Sequence, residues 1–197
     1  MREVAIVDTG GANLASLEYA FERLSVRARI TQDPVVIREA RHVVLPGVGA
    51  AGTAMKRLLN AQLLQVLRTL TRPVLGICLG MQLLFDASEE GSTECLGVIP
   101  GTVQRLKASP GRPVPHMGWN QLEGQCEDPL LMGIAPRDYV YFVHSYAAPV
   151  SDHTLARAEY GPWISAVVRR GNFYGAQFHP ERSGAPGARL LQNFVRL

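Results

Sequence analysis

Pro73-Val74-Leu75-Gly76-Ile77-Cys78-Leu79-Gly80-Met81-Gln82-Leu83-Leu84-Phe85 is an uncharged run with a change of character in its middle. Residues 73–77 are wholly apolar and too few for a helix, so they read as a strand buried on both faces. The segment 80–88 reads as a helix, and only Cys78 and Leu79 separate the two. A strand that enters a helix with no loop is half of a βα unit. The same alternation extends upstream. Residues 3–8 form a short apolar run that ends in turn residues, and Asn13 can cap a helix reaching about residue 24, with Leu14, Leu17, Phe21 and Leu24 at helical spacing. Segments 26–30 and 42–45 read as strands, the second stopped by Pro46. One helix is predicted over 53–70, with Leu58, Leu59, Leu63, Val66, Leu67 and Leu70 on a broad face. The first half is therefore α/β, with a parallel sheet covered on both sides.

Downstream the pattern becomes strand after strand: 98–107, 115–122, 139–149, 154–160, 164–169 and 172–178, each bounded by turn residues. These are predicted to add antiparallel hairpins to the mostly parallel sheet, and 187–196 closes the chain as a helix. No repeat, low-complexity tract or linker divides residues 1–197, so a single domain is expected.

Composition excludes several kinds of protein. At 197 residues, 47% apolar and 19% charged, the chain is globular material. Its net charge of +3 is small and basic runs are no longer than pairs such as Arg169-Arg170, which argues against a nucleic-acid or anionic-membrane surface. Uncharged stretches all fall short of the ~18 residues a membrane helix needs. The first apolar run meets Asp8, so no secretory leader is expected. Three scattered cysteines, Cys78, Cys95 and Cys126, suit neither a disulfide framework nor a cysteine-rich metal site, and point to a reducing cytoplasm. Neither a metal nor a cofactor is expected.

Gly76-Ile77-Cys78-Leu79-Gly80 is the cysteine version of a nucleophile elbow. A sharp turn lifts the nucleophile off the sheet, and flanking glycines remove side chains that would clash. The helix N-terminus favours thiolate, and the Leu79 amide is free to bind an oxyanion. A small buried cysteine with no chemistry is the plainer alternative. A base is available in Phe178-His179-Pro180-Glu181. Pro180 biases His179 toward extended geometry, which would put Glu181 on the same side and within reach of one imidazole nitrogen. The other nitrogen would then face the thiol, completing Cys-His-Glu. His144 is the reserve among the other histidines. Gly47-Val48-Gly49-Ala50-Ala51-Gly52 has the form of a dinucleotide fingerprint, but no acidic residue follows before Asp86 to hold a ribose. It reads better as a glycine-rich strand end that presents amides to an oxyanion.

With these residues in place, the chain resembles the class I, triad-type glutamine amidotransferases, through GICLGMQ around Cys78 and QFHPE around His179 and Glu181. More narrowly, GGANLAS (10–16), LPGVGA (45–50), PHMGWN (115–120) and YFVHSY (141–146) are similar to the glutaminase subunits of imidazole glycerol phosphate synthase. The resemblance implies a flavodoxin-like three-layer fold. It implies that Cys78 attacks the glutamine amide, that His179 moves the proton, and that Val48, Gly49 and Leu79 serve the oxyanion. Gln82, Glu90, His144, Ser145 and Tyr146 would hold glutamine, Glu90 through its ammonium group. Asn13, Trp119, Asn120, Tyr139, Tyr141 and Arg182 would face a (β/α)8-barrel cyclase in a heterodimer and pass ammonia to it. Arg182 stands where the family often has lysine. The glycine-rich strand would also let a ligand in the partner switch hydrolysis on. Rival readings are a glutaminase serving another synthase, such as pyridoxal phosphate synthase, a cysteine hydrolase of similar fold, or a non-catalytic module with an inert Cys78.

Overall fold

The computed structural model describes residues 3–10 and 14–197. Asn13, read above as a helix cap and partner contact, lies outside the described residues. The chain runs β1 (Glu3–Val7), α1 (Leu14–Arg23), β2 (Arg27–Thr31), α2 (Pro34–Glu39), β3 (His42–Leu45), α3 (Ala51–Asn60), α4 (Leu64–Arg68), β4 (Val74–Ile77) and α5 (Leu79–Gln82). It continues through β5 (Phe85–Ser88), β6 (Thr93–Glu94), β7 (Ile99–Arg105), β8 (His116–Gln121), β9 (Tyr139–His144), β10 (Tyr146–Ala147), β11 (Thr154–Glu159), β12 (Trp163–Arg170), β13 (Phe173–Ala176) and α6 (Gly184–Phe194).

A central sheet of seven strands has the order β11-β12-β13-β4-β3-β1-β2. From β2 to β13 the pairs are parallel, and β12 and β11 then extend the edge antiparallel. β3, β4 and β13 are buried at every residue, which accounts for their largely apolar sequences, His42 at the start of β3 apart. Strand periodicity divides the core. Val4, Ile6, Val44, Leu75 and Ile77 face a layer built on α1 and α6, through Phe21, Leu190 and Phe194. Ala5, Val7, Val43, Leu45 and Val74 face the opposite layer, with Ile37 of α2, Leu58 of α3 and Leu67 of α4. This is the three-layer α/β architecture expected. Burying each of the larger of these side chains, from valine to phenylalanine, stabilises the fold by about 1.5–3 kcal/mol. No helix among the described residues is long and apolar enough to cross a membrane.

Four expectations are corrected. The helix predicted over 53–70 is two helices: Gln62 takes a left-handed φ of 57°, α3 ends, and α4 starts afresh. Leu59 is exposed while Leu63 is fully buried, so the broad apolar face belonged to two axes. The helix predicted over 80–88 is the single turn α5 followed by β5. Leu83, Leu84 and Phe85 are buried on all sides, and an apolar run without a polar face carries no helical period. α2 was missed, although Asp33 accepts a hydrogen bond from the Val35 amide at 2.8 Å and Pro34 opens the helix. Finally, not all later strands join the central sheet. β10-β7-β5-β6 form a second sheet in which β5 and β7 are parallel, and β8-β9 form a separate two-stranded ribbon.

The turn from β4 into α5 presses backbone on backbone against the end of β3. A Cβ on Gly80 would lie 1.7 Å from the Leu45 carbonyl oxygen, and one on Gly76 would lie 2.6 Å from the Gly80 carbonyl. Neither neighbour is a flexible side chain that could yield. Gly80→Ala is therefore expected to lower the unfolding free energy by about 3 kcal/mol or more, read from the urea midpoint.

Candidate functional site

In open parallel sheets, sites form beyond the carboxyl ends of the strands. β4 and β13 are parallel neighbours in register, Ile77 opposite Ala176, so the residues following each strand emerge side by side. After β4 comes Cys78, with φ 53° and ψ −111°. A non-glycine residue in that conformation costs about 1–3 kcal/mol, and here the hydrogen bond from the Cys78 amide to the Ala176 carbonyl (2.8 Å) helps to hold it. After β13 come Gln177, Phe178 and His179.

His179 is pinned by its backbone: its amide donates to the Tyr141 carbonyl at 2.9 Å, and its carbonyl accepts from the Ser183 hydroxyl at 2.7 Å. Its Nδ1 lies 2.8 Å from Oε1 of Glu181, whose side chain is fully buried. A carboxylate can only accept, so Nδ1 carries the proton and Nε2 faces Cys78. The route to this pair differs from the expectation. His179 is extended, but Pro180–Arg182 forms a 3-10 turn, and that turn brings Glu181 back. Burial opposes the charged imidazolium, but the Cys78 sulfur and the Glu181 carboxylate outweigh it and push His179 up to about 10. The Cys78 sulfur lies 3.7 Å from the Val143 carbonyl oxygen and 3.8 Å from Nε2 of Gln177. Gln177 was not singled out from the sequence; a polar residue in the apolar run Tyr174–Phe178 was the available signal.

These groups open on a cavity of about 550 Å³. Val48 and Gly49 form one side of it, Leu79 and Gln82 lie at the elbow, and Glu90, His144, Ser145 and Tyr146 complete the wall. The expected glutamine-binding and oxyanion residues therefore share one space with Cys78 and His179. Gly49 has φ 96°, and a Cβ on Gly47 would lie 2.8 Å from that of Leu79, so the glycine strand packs directly on the elbow. Both Gln82 amide hydrogens are used, on the Tyr146 carbonyl (2.7 Å) and on Oε1 of Gln177 (3.0 Å). Glu90 accepts from the Ala51 amide at 2.7 Å, and so caps α3 from 39 residues away. α3 has no side-chain cap of its own at Ala50.

His144 does not serve as a reserve base. Its Nδ1 lies 2.8 Å from the Tyr146 carbonyl and its Nε2 lies 3.0 Å from Nδ1 of His116, so both nitrogens are occupied. Cys95 is no rival nucleophile, because burial and the nearby charge of Glu90 push its thiol up to about 11. Cys126 is exposed and lies outside the cavity lining.

The β8-β9 ribbon, which lends Val143 and His144 to the cavity wall, pairs Met117 with Val143, Trp119 with Tyr141 and Gln121 with Tyr139. Met117, Trp119 and Tyr139 are each more than half exposed. Trp119 meets Tyr141 edge-on at 5.9 Å, and the Arg182 guanidinium lies 5.6 Å from the Tyr141 ring while also lining the cavity. Asn120 differs from the other described members of the expected partner-facing set. It lies on the other face of β8, donating to the Glu159 carbonyl at 2.9 Å.

A sharp turn at Cys78, a buried histidine–carboxylate pair and an adjoining cavity lie together beyond the strand ends of a doubly wound sheet, the arrangement a cysteine-dependent hydrolase requires. The class-I glutamine amidotransferase family matches residues 5–197, and the chain belongs to that family. Over all 197 residues it is 53% identical to imidazole glycerol phosphate synthase subunit HisH of Xanthomonas euvesicatoria pv. vesicatoria (strain 85-10), covering 98% of that protein. It is 52% identical over 194 residues to subunit HisH 2 of Legionella pneumophila (strain Paris), covering 98% of each chain. A solved glutamine amidotransferase superposes with a TM-score of 0.77 at 19% identity, covering 98% of this chain and 97% of that one, a likeness of fold.

Because His179 is raised from 6.5 to about 10, its charged form stabilises the fold fully below pH 6.5, and that contribution is lost as pH rises through about 10. The stability gap between wild type and His179→Gln, from urea titrations, should be constant near pH 6 and should shrink steadily toward pH 10.5.

Proposed function

We propose that Cys78 is the nucleophile, His179 the acid–base and Glu181 the orienting carboxylate of a glutaminase, within one amidotransferase domain spanning 1–197. The observation that carries this reading is the buried 2.8 Å contact between His179 and Glu181, which turns Nε2 toward a cysteine held at positive φ. Cys78, its proton already resting on the charged His179, attacks the side-chain carbonyl of glutamine as the thiolate. Negative charge develops on that oxygen beside the Leu79 amide at the head of α5 and the Val48–Gly49 strand. His179 returns the proton to the leaving nitrogen, ammonia departs, and a γ-glutamyl thioester remains. Water, deprotonated by His179, then releases glutamate and restores the thiolate. Glu90 receives the ammonium group of glutamine, Gln82 offers its remaining acceptor, and the His144–Tyr146 segment lines the far wall.

Free ammonia would be protonated or lost, so its acceptor must dock at the mouth of the cavity. The chain works as the glutaminase subunit of an imidazole glycerol phosphate synthase in histidine biosynthesis, and its partner is a (β/α)8-barrel cyclase. Trp119, Tyr139, Tyr141 and Arg182 form the docking face, supported by an aromatic and arginine composition typical of interface centres. The cyclase uses the ammonia to make imidazole glycerol phosphate and an aminoimidazole carboxamide ribotide. The work is cytoplasmic, consistent with three unpaired cysteines.

Glutamate release, measured with the cyclase and its nucleotide substrate present, is expected to vanish in Cys78→Ala. It should fall by roughly 10³–10⁴-fold in Glu181→Gln, where the histidine loses its orienting charge. Trp119→Ala should weaken binding to the cyclase by about 2 kcal/mol, roughly 30-fold in Kd by titration calorimetry. Glutamate release that ignores the cyclase would reassign the acceptor.

A further inference from the structure

The inner face of the β8-β9 ribbon carries an unbroken polar chain through an apolar layer. His116 and His144 are directly opposed in the antiparallel register, with Nδ1 of His116 3.0 Å from Nε2 of His144. Both rings are more than nine-tenths buried. Their neighbours fix the tautomers. The Tyr146 carbonyl can only accept, so Nδ1 of His144 donates to it and Nε2 is left as an acceptor. His116 must therefore donate from Nδ1, and its Nε2 is the acceptor facing Nδ2 of Asn120, at 3.5 Å. At the other end, the Tyr146 carbonyl also accepts from Gln82, Gln82 donates to Gln177, and Gln177 reaches the Cys78 sulfur.

Only two neutral rings fit this arrangement, because a second proton on His144 would set two donors face to face. Burial holds His116 down to about 4. Burial, aided by the charges of His116 and His179, holds His144 down to about 3 against the favourable bond to Tyr146. The His116 ring is itself fixed between aromatic neighbours, stacked at 3.8 Å on Tyr160 and at 4.8 Å on Phe142. A phenylalanine at 116 would fill that slot without burying two polar nitrogens. Packing therefore does not account for an imidazole at this position, whereas donation to His144 does.

We propose that His116 is a positioning residue for glutamine: by donating to His144 it locks the 144–146 segment, so that the Tyr146 carbonyl holds the Gln82 amide with its remaining acceptor facing the substrate. His116 touches no substrate and acts through His144. The proposal rests on the reading of the cavity as a glutamine site, and its test separates the two.

Cys78 labelling is followed by mass spectrometry in the full-length chain, with a diazoketone analogue of glutamine and, separately, with iodoacetamide. The first reagent needs the glutamine subsite; the second needs only the nucleophile. His116→Phe keeps the aromatic stack and removes the donor. His116→Asn keeps an amide donor near the position of Nδ1. In His116→Phe, labelling by the diazoketone is expected to fall about tenfold through a weaker apparent affinity, the effect of one buried hydrogen bond. Its iodoacetamide rate should stay near wild type while the unpaired His144 acceptor lowers the melting temperature by only a few degrees, and His116→Asn should recover much of both losses. Wild-type diazoketone labelling in His116→Phe overturns the proposal, and so does an equal fall with both reagents, which would mark a purely structural role. A wild-type chain that reacts with iodoacetamide and ignores the diazoketone overturns the glutamine reading itself, and this proposal with it.

Discussion

The parallel pairing of β4 with β13 is the constraint on which the site depends. These strands lie about 100 residues apart in sequence, yet their register sets Ile77 beside Ala176, and from there two short exits do the rest. One exit bends sharply at Cys78; the other runs on to His179 and turns at Pro180. Neither exit is long enough to wander. Cys78 and His179 are placed by backbone hydrogen bonding in the sheet, and their side chains have little left to choose. The glycines at 76 and 80 belong to the same device, since they let the turn sit against β3 with no side chain between.

Within this small volume the protein keeps histidines in opposite states. His179 is nearly as buried as its neighbours, yet it is held charged because an anion-forming group stands on each side. His116 and His144 hydrogen-bond to each other, a carbonyl and an amide, and burial holds them neutral, for His144 with the help of the charge on His179. Burial alone would have treated all three alike. What separates them is whether the desolvated ring meets a charge or a dipole.

Much of this could be read before any coordinates. The short apolar strands 3–8, 42–45 and 73–77, the elbow at Cys78 and the HPE turn announce themselves, because buried parallel strands and sharp turns leave few residue choices. Less legible were segments whose pattern served two axes or none. The 53–70 run looked like one helix because Leu58 and Leu67, on separate helices, pack into the same layer. Residues 83–85 gave no period because they are buried all round. Gln177 and the His116–His144 chain escaped notice for a different reason. Their significance lies in partners far away in sequence, and a lone polar residue in a strand does not reveal which partner the register will supply.

The borrowed cap on α3 has a consequence for how the cavity meets a ligand. α3 begins where the glycine strand ends and relies on Glu90 for its first amide. Forming that bond orders the loop around Glu90 as the helix forms, and the restriction of that loop is charged to folding. The carboxylate proposed to meet the ammonium group of glutamine thus waits in place, and the cavity is pre-organised at the point where an incoming amino acid would otherwise have to restrain a mobile acidic loop.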